Sequence, residues 1–117
     1  MYYDNLPIYK SALDLVVYIE IIVKGFDKYH KYTIGEDLRN YSKELLFMIQ
    51  RANMSRQREV ELLKLRDKTE EVKMLIRVTQ ELKVFKSFKQ FEHCSKLSFE
   101  VCRQAQAWLG SVARVQR

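Results

Sequence analysis

Residues 56–85 read RQREVELLKLRDKTEEVKMLIRVTQELKVF. Leu62, Leu65, Val72, Leu75, Ile76, Val78, Leu82 and Phe85 recur at the three- and four-residue steps that place side chains on one face of an α-helix. Thr69 and Thr79 stand at core-facing spacing in the same stripe. The spacing predicts one long helix over residues 56–85, amphipathic and in need of a partner for its apolar side.

The same period continues on both sides. Downstream, Ser87-Phe88-Lys89-Gln90 matches a capping box, in which a Ser hydroxyl accepts from a free backbone N–H while Gln90 reaches back. It opens a helix over residues 88–112 carrying Phe88, Phe91, Cys94, Leu97, Val101, Cys102, Ala105, Trp108, Leu109 and Val112. Gly110 ends that helix or sits inside its last turn, and residues 114–117 form a fraying tail. Upstream, Thr33-Ile34-Gly35-Glu36 is a second capping box for a helix over residues 34–52, with Ile34, Leu38, Tyr41, Leu45, Met48, Ile49 and Ala52 on its stripe. Asn53-Met54-Ser55 breaks that helix, and Ser55 is the expected N-cap of the next. The first helix spans residues 7–26, with Pro7 in a first turn that has no use for its missing N–H. Ile8, Ala12, Leu15, Val16, Ile19, Ile22, Val23 and Phe26 make its face, and residues 27–32 form a polar-aromatic connection.

Such short connections force consecutive helices to run antiparallel. Four stripes bury best against one another, so the expectation is all-α: an antiparallel up-down-up-down four-helix bundle, one domain over residues 1–117. Composition agrees. With one Pro and three Gly there is little material for tight β-turns. At 47% apolar and 31% charged residues, the 117-residue chain is globular rather than disordered. The most apolar stretch, residues 13–23, is interrupted by Asp14 and Glu20 and falls short of the ~20 residues that span a bilayer. No membrane segment is expected, and with no signal-peptide pattern at the start the default is a cytoplasmic protein. Cys94 and Cys102, eight residues apart on one helix, lie ~12 Å apart and cannot bond to each other, so two buried thiols are expected.

Signatures of catalysis are absent: no Gly-rich phosphate loop, no CxxC pair and no HExxH. A di-iron bundle would need Glu-x-x-His motifs on two helices, and the chain offers only Asp27-x-x-His30. His93 and Cys94, adjacent on a helix, point about 100° apart. Neither a metal nor a cofactor is expected, nor an enzyme.

What remains is cationic. The formal charge is +6, and residues 83–117 hold seven Lys or Arg (Lys83, Lys86, Lys89, Lys96, Arg103, Arg114, Arg117) against Glu92 and Glu100. A skewed basic surface suits an anionic partner such as nucleic acid; a merely soluble surface is the plain alternative. Lys73 and Arg77, at i and i+4, share a face of the 56–85 helix. They either hold a partner or form an ordinary solvated face with Glu70 and Glu81. Lys28-Tyr29-His30-Lys31-Tyr32 interleaves cations with aromatics, which fits phosphate contact plus base stacking. The alternative is that Tyr29 or Tyr32 packs over a helix end. Trp108 either closes the base of the core or fills a neighbouring subunit's groove, and exposed tyrosines among Tyr2, Tyr3, Tyr9 and Tyr18 would mark an oligomer interface.

Taken in order, these features resemble the Avd (accessory variability determinant) family of diversity-generating retroelements. They are equally similar to the four-helix-bundle proteins of intervening sequences in 23S ribosomal RNA genes. The likeness covers residues 6–111: Leu6-Pro7-Ile8-Tyr9, Tyr32-Thr33-Ile34-Gly35, Leu38-Arg39, Leu75-Ile76-Arg77, Ser87 to Gln90, Arg103 and Trp108-Leu109. The resemblance implies a homopentamer of bundles that binds the element's reverse transcriptase and associates with RNA or DNA during mutagenic reverse transcription. It places Lys73 and Arg77 at a basic pair implicated in the partner contact. Lys28, Lys31 and Arg103 complete the candidate partner- and nucleic-acid-binding set. Two positions depart from the pattern: Gln106-Ala107 replaces a frequent Gly pair, and Lys73 stands where Arg, with its planar fork, is commoner. A structural oligomer of the 23S intervening-sequence type, with no polymerase partner, is the alternative function.

Overall fold

A computed structural model describes residues 2–116. A 3-10 turn at Tyr3–Asn5 precedes five α-helices: α1 Pro7–Lys24, α2 Lys28–Lys31, α3 Ile34–Met54, α4 Arg58–Glu81 and α5 Phe88–Gln116. α2 is a single turn and the other four are long; no strand occurs among the described residues.

Cross-helix contacts fix the directions. Gln104 late in α5 donates to Ser11 early in α1 at 2.8 Å, whereas Tyr18 later in α1 meets His93 early in α5 with ring centroids 4.6 Å apart. Glu20 of α1 pairs with Arg39 of α3 at 3.1 Å, and Glu44 of α3 with Lys68 of α4 at 2.8 Å. The Lys73 ammonium of α4 lies 4.5 Å over the Phe99 ring of α5. Consecutive helices therefore run antiparallel and α1 closes on α5, giving an up-down-up-down bundle of 48 × 21 × 20 Å.

The stripe of α1 is buried throughout, from Ile8 to Val23, with Phe26 just beyond it. Leu38, Leu45, Ile49 and Ala52 meet it from α3, Leu62, Leu65, Val72 and Ile76 from α4, and Cys94, Val101 and Ala105 from α5. Ser42, Thr69, Thr79 and Ser98 share this core at 2% exposure or less. Each hydroxyl donates to a carbonyl of its own helix: Ser42 to Arg39, Thr69 to Arg66, Thr79 to Leu75 and Ser98 to Ser95. Burial of these groups thus leaves no unmet hydrogen bond. No described helix is long and apolar enough to cross a membrane.

The helix ends differ from the sequence expectation in informative ways. α1 stops at Lys24, and residues 27–32 contain a helical turn rather than a plain loop. Asp27 caps that turn, accepting from the His30 backbone at 3.2 Å and from the His30 ring at 2.7 Å. The first capping box does not form: the Thr33 hydroxyl donates backward to the Tyr29 carbonyl at 2.9 Å, closing α2 instead of opening α3. Ser55 accepts from Gln57 N–H at 2.9 Å, so α4 begins at Arg58 rather than at residue 56. The second box half forms, with Ser87 Oγ accepting from Gln90 N–H at 3.2 Å while Gln90 Oε1 reaches Lys86 N–H at 3.0 Å. α3 extends to Met54, and α5 runs through Gly110 to Gln116, so residues 114–116 are helical. Arg117 lies outside the described residues.

The largest difference is at the end of α4, expected at Phe85 and found at Glu81. Lys83 adopts φ 58°, the left-handed region. Val84 N–H then bonds the Thr79 carbonyl at 3.2 Å and Lys83 N–H the Gln80 carbonyl at 2.9 Å, the paired bonds of a Schellman stop. Val84 and Phe85 turn inward and are buried, whereas Leu82 is 50% and Val78 44% exposed, contrary to their place on the predicted stripe. Phe88, also expected inside, is 63% exposed at the first position of α5. Since a side chain strains the left-handed conformation, Lys83→Gly should raise stability by about 1 kcal/mol, read from a denaturant midpoint. Gly35 has the opposite sensitivity. A Cβ there would stand 2.9 Å from both the His30 carbonyl oxygen and Val23 Cγ1. Gly35→Ala should therefore cost about 1–3 kcal/mol in the same assay, since part of the obstacle is backbone.

Candidate partner-binding groove

Lys73 and Arg77 line a groove of about 270 Å³ between α4 and α5, together with Glu70, Met74, Phe91, Ser95, Ser98 and Phe99. The helical step of four residues brings the two cations to the same rim. α5 supplies the apolar floor, because Phe99 sits off its core stripe and stays 59% exposed, opposite Met74 at 64%.

The two cations are not equivalent. Lys73 Nζ lies 3.2 Å from Glu70 Oε2, 3.8 Å from Cys102 Sγ and over the Phe99 ring; its side chain is only 21% exposed. Arg77 offers 72% of its side chain to solvent and uses only Nε, 2.9 Å from Glu81 Oε1. Its two terminal nitrogens face outward as a free fork suited to a carboxylate. Glu70 accepts from the Cys102 thiol at 3.2 Å, and that bond, followed by the Lys73 ammonium, holds its carboxyl below the usual range. The groove thus carries a fixed ion pair, one available guanidinium and two exposed apolar side chains. The Glu70 and Glu81 carboxylates oppose the charge of a phosphate chain, and the mixture of one guanidinium with exposed apolar side chains has the composition of protein–protein contact surfaces.

The other candidates lie elsewhere. Arg103, on α5, is exposed and bound to Glu100 at 2.6 Å. Its guanidinium, with help from Gln104, holds the Glu100 carboxyl down to about 2. Lys28 and Lys31 belong to the α2 turn beside α3. The structure therefore unites Lys73 with Arg77 in a groove whose lining includes none of Lys28, Lys31 and Arg103, although Arg103 follows one turn after Phe99 on α5. Met74, Phe99 and the Glu70–Cys102 contact were not singled out from sequence, since each depends on which face of α5 meets α4.

No group of three or more His, Cys, Asp or Glu able to hold a metal occurs among the described residues. Both cysteines are free and buried. Burial pushes the Cys94 thiol up to about 12, leaving almost no thiolate at neutral pH. A thiol reagent should leave Cys94 unmodified in the folded protein and label it fully in denaturant, as followed by intact mass.

A family profile described as bAvd-like matches residues 7–112, nearly the whole bundle from α1 into the last turns of α5. The chain belongs to the bAvd-like family. The match spans all four long helices, the same stretch over which the short motifs from Leu6 to Leu109 are spread. No curated protein matches the chain. In this bAvd-like bundle the α4–α5 groove brings Lys73 and Arg77 together with the exposed apolar side chains of Met74 and Phe99.

Proposed function

We propose that this protein is a non-catalytic accessory subunit of a diversity-generating retroelement. In this reading it assembles as a homopentamer and holds a reverse transcriptase together with its RNA template or cDNA in the cytoplasm. The observation that carries the reading is the α4–α5 groove, with Arg77 presented and Lys73 anchored, on a bAvd-like chain.

Assembly is supported by apolar surface that the monomer leaves unburied. Leu13, Val17 and Ile21 of α1, at i, i+4 and i+8, are 39%, 49% and 61% exposed. They border a shallow groove with Tyr18, His93 and Leu97. Phe47, Val60 and Leu63, on α3 and α4, are exposed as well. A closed ring of more than two subunits joins unlike faces, so it needs apolar patches on more than one side of each bundle.

Co-expression with the reverse transcriptase of a neighbouring gene tests the proposal. A stable complex is expected on affinity capture of the tagged bundle. A ring that captures no polymerase would instead match a structural oligomer of the 23S intervening-sequence type.

A further inference from the structure

The antiparallel topology gathers at one end of the bundle cations that are scattered in sequence. Lys24 closes α1, Lys28 and Lys31 lie in α2, Lys83 and Lys86 sit in the α4–α5 connection, and Lys89 is in the first turn of α5. The two connections are packed together: Phe26 and Phe85 meet edge to face at 6.0 Å, and Lys86 Cε lies 3.3 Å from a Cβ position on Gly25. On the bundle's sides Lys43, Lys64, Lys68 and Lys73 are each spent in an ion pair, whereas Lys10 and Lys96, one on α1 and one on α5, are in none among the described residues. None of the six end lysines takes part in one among the described residues. The acids nearby are Asp27, held by His30, Glu81, held by Arg77, Glu36 and Asp37 at the start of α3, and Glu92, one turn beyond Lys89 on α5.

Aromatic faces accompany this charge. Tyr29, Tyr32 and Phe88 are 70%, 62% and 63% exposed. Tyr29 and Tyr32 also line a cleft of about 490 Å³ with His30, Thr33, Ile34, Glu36, Asp37, Asn40 and Leu82, large enough for a nucleobase. The opposite end has cations too, including Arg51, Arg56 and Arg114, and one exposed ring, Tyr2, ahead of the first turn, but its indole, Trp108, is packed against the core. Unpaired cations alone would suit any polyanion. Exposed rings beside a polar cleft select one whose bases are unstacked and free to enter.

We infer that this end of the bundle is a seat for single-stranded nucleic acid, with phosphates over Lys24, Lys28, Lys31, Lys83, Lys86 and Lys89 and bases stacked on Tyr29 and Tyr32. Carboxylates of Glu36 and Asp37 and the Asn40 amide face the cleft, where they accept from base amino groups and keep phosphates on the lysine side. Polymerase and strand then occupy different surfaces, the groove and the end. The assignment rests on the accessory-subunit reading, yet the two fail separately. Capture of the polymerase with no strand binding removes only the seat. Strand binding with no polymerase capture removes only the accessory role.

Fluorescence anisotropy of the full chain with a labelled oligoadenosine, titrated across salt, tests the seat. If each lysine neutralises a phosphate, log affinity should fall against log salt with a slope of about −4. Lys83→Glu/Lys86→Glu/Lys89→Glu should weaken binding at least about a hundredfold, whereas Arg56→Glu/Arg114→Glu, matched in kind at the other end, should change it less than about threefold. Tyr29→Ala/Tyr32→Ala should cost about tenfold or more, and Tyr29→Phe/Tyr32→Phe should restore most of it, as stacking requires. Thermal melts of all variants confirm the fold. Equal loss from both charge-reversal variants, a duplex of the same length binding as tightly as the single strand, or unlabelled polyglutamate competing as well as the unlabelled strand would overturn the assignment.

Discussion

Lys73→Glu/Arg77→Glu is expected to abolish capture of the reverse transcriptase, weakening it at least about a hundredfold, while the bundle stays folded. Two attractive contacts become repulsive ones, and like charges set against each other across an interface cost several kcal/mol. The monomer tolerates the change. Both positions lie on the rim of the groove; Arg77, mostly in solvent, would meet Glu81 with repulsion of about 0.5 kcal/mol, and the new carboxylate at 73 must turn away from Glu70 toward the open side of the groove. The single substitutions should be unequal. Arg77→Ala removes the free guanidinium fork and should account for most of the loss. Lys73→Ala removes a side chain already engaged by Glu70 and Phe99, and acts mainly by leaving the Glu70 carboxylate facing the partner. In that variant the Lys73 ammonium no longer lowers the Glu70 carboxyl, but the Cys102 thiol bond, the larger influence, still does, and the inequality should persist in mildly acidic buffer. Affinity capture followed by quantitation of the polymerase reads all three variants. Wild-type capture by the double variant would move the partner contact away from the groove.

Parts of this arrangement were open to reading in the chain itself. The α1 face was legible residue by residue, because Ile8 to Phe26 keeps an uninterrupted helical period with strong contrast between its sides. On α4 polarity misleads. Val78 is apolar but two residues beyond Ile76, about 200° round the helix, so it points outward, while Thr79 occupies the core. The stop at Glu81 gives no warning because Lys83 fills the left-handed position where glycine is the usual signal. Thr33 matched a capping box and yet bonds backward, since α2 leaves the Tyr29 carbonyl within its reach and a one-turn helix has too short a period to detect.

For the groove, the i, i+4 spacing of Lys73 and Arg77 was visible, and so was the aromatic interleaving around Lys28 and Lys31. The partners of those residues come from other helices. Phe99 joins Lys73, and Lys83, Lys86 and Lys89 join Lys28 and Lys31, only once α4 turns back into α5. A linear charge count finds the C-terminal excess without its location. Placement needs topology, which for an antiparallel bundle follows from the short connections.

Val17→Asp/Ile21→Asp is expected to convert the assembled protein to a folded monomer. Both side chains project from α1 on the side away from the core and leave about half or more of their surface in water. Replacing them removes nothing that holds the bundle together, and Asp in the middle of a helix costs about 0.7 kcal/mol at each site. In a ring the same positions would be covered, and each interface would lose roughly 1–2 kcal/mol of apolar burial per side chain. A carboxylate taken out of water there without a partner adds several kcal/mol more. These losses recur at every contact around a closed ring, so disassembly should be complete rather than graded. Sedimentation or light scattering should give about five times the 14.1 kDa chain mass for the wild type and the single-chain mass for the variant. The helical circular dichroism of the two should be the same. A variant of unchanged size would take the α1 stripe out of the interface and place the ring contacts on other exposed apolar side chains, Phe47, Val60 and Leu63 among them. A wild-type monomer at micromolar concentration would end the ring proposal and leave the α1 stripe without an occupant.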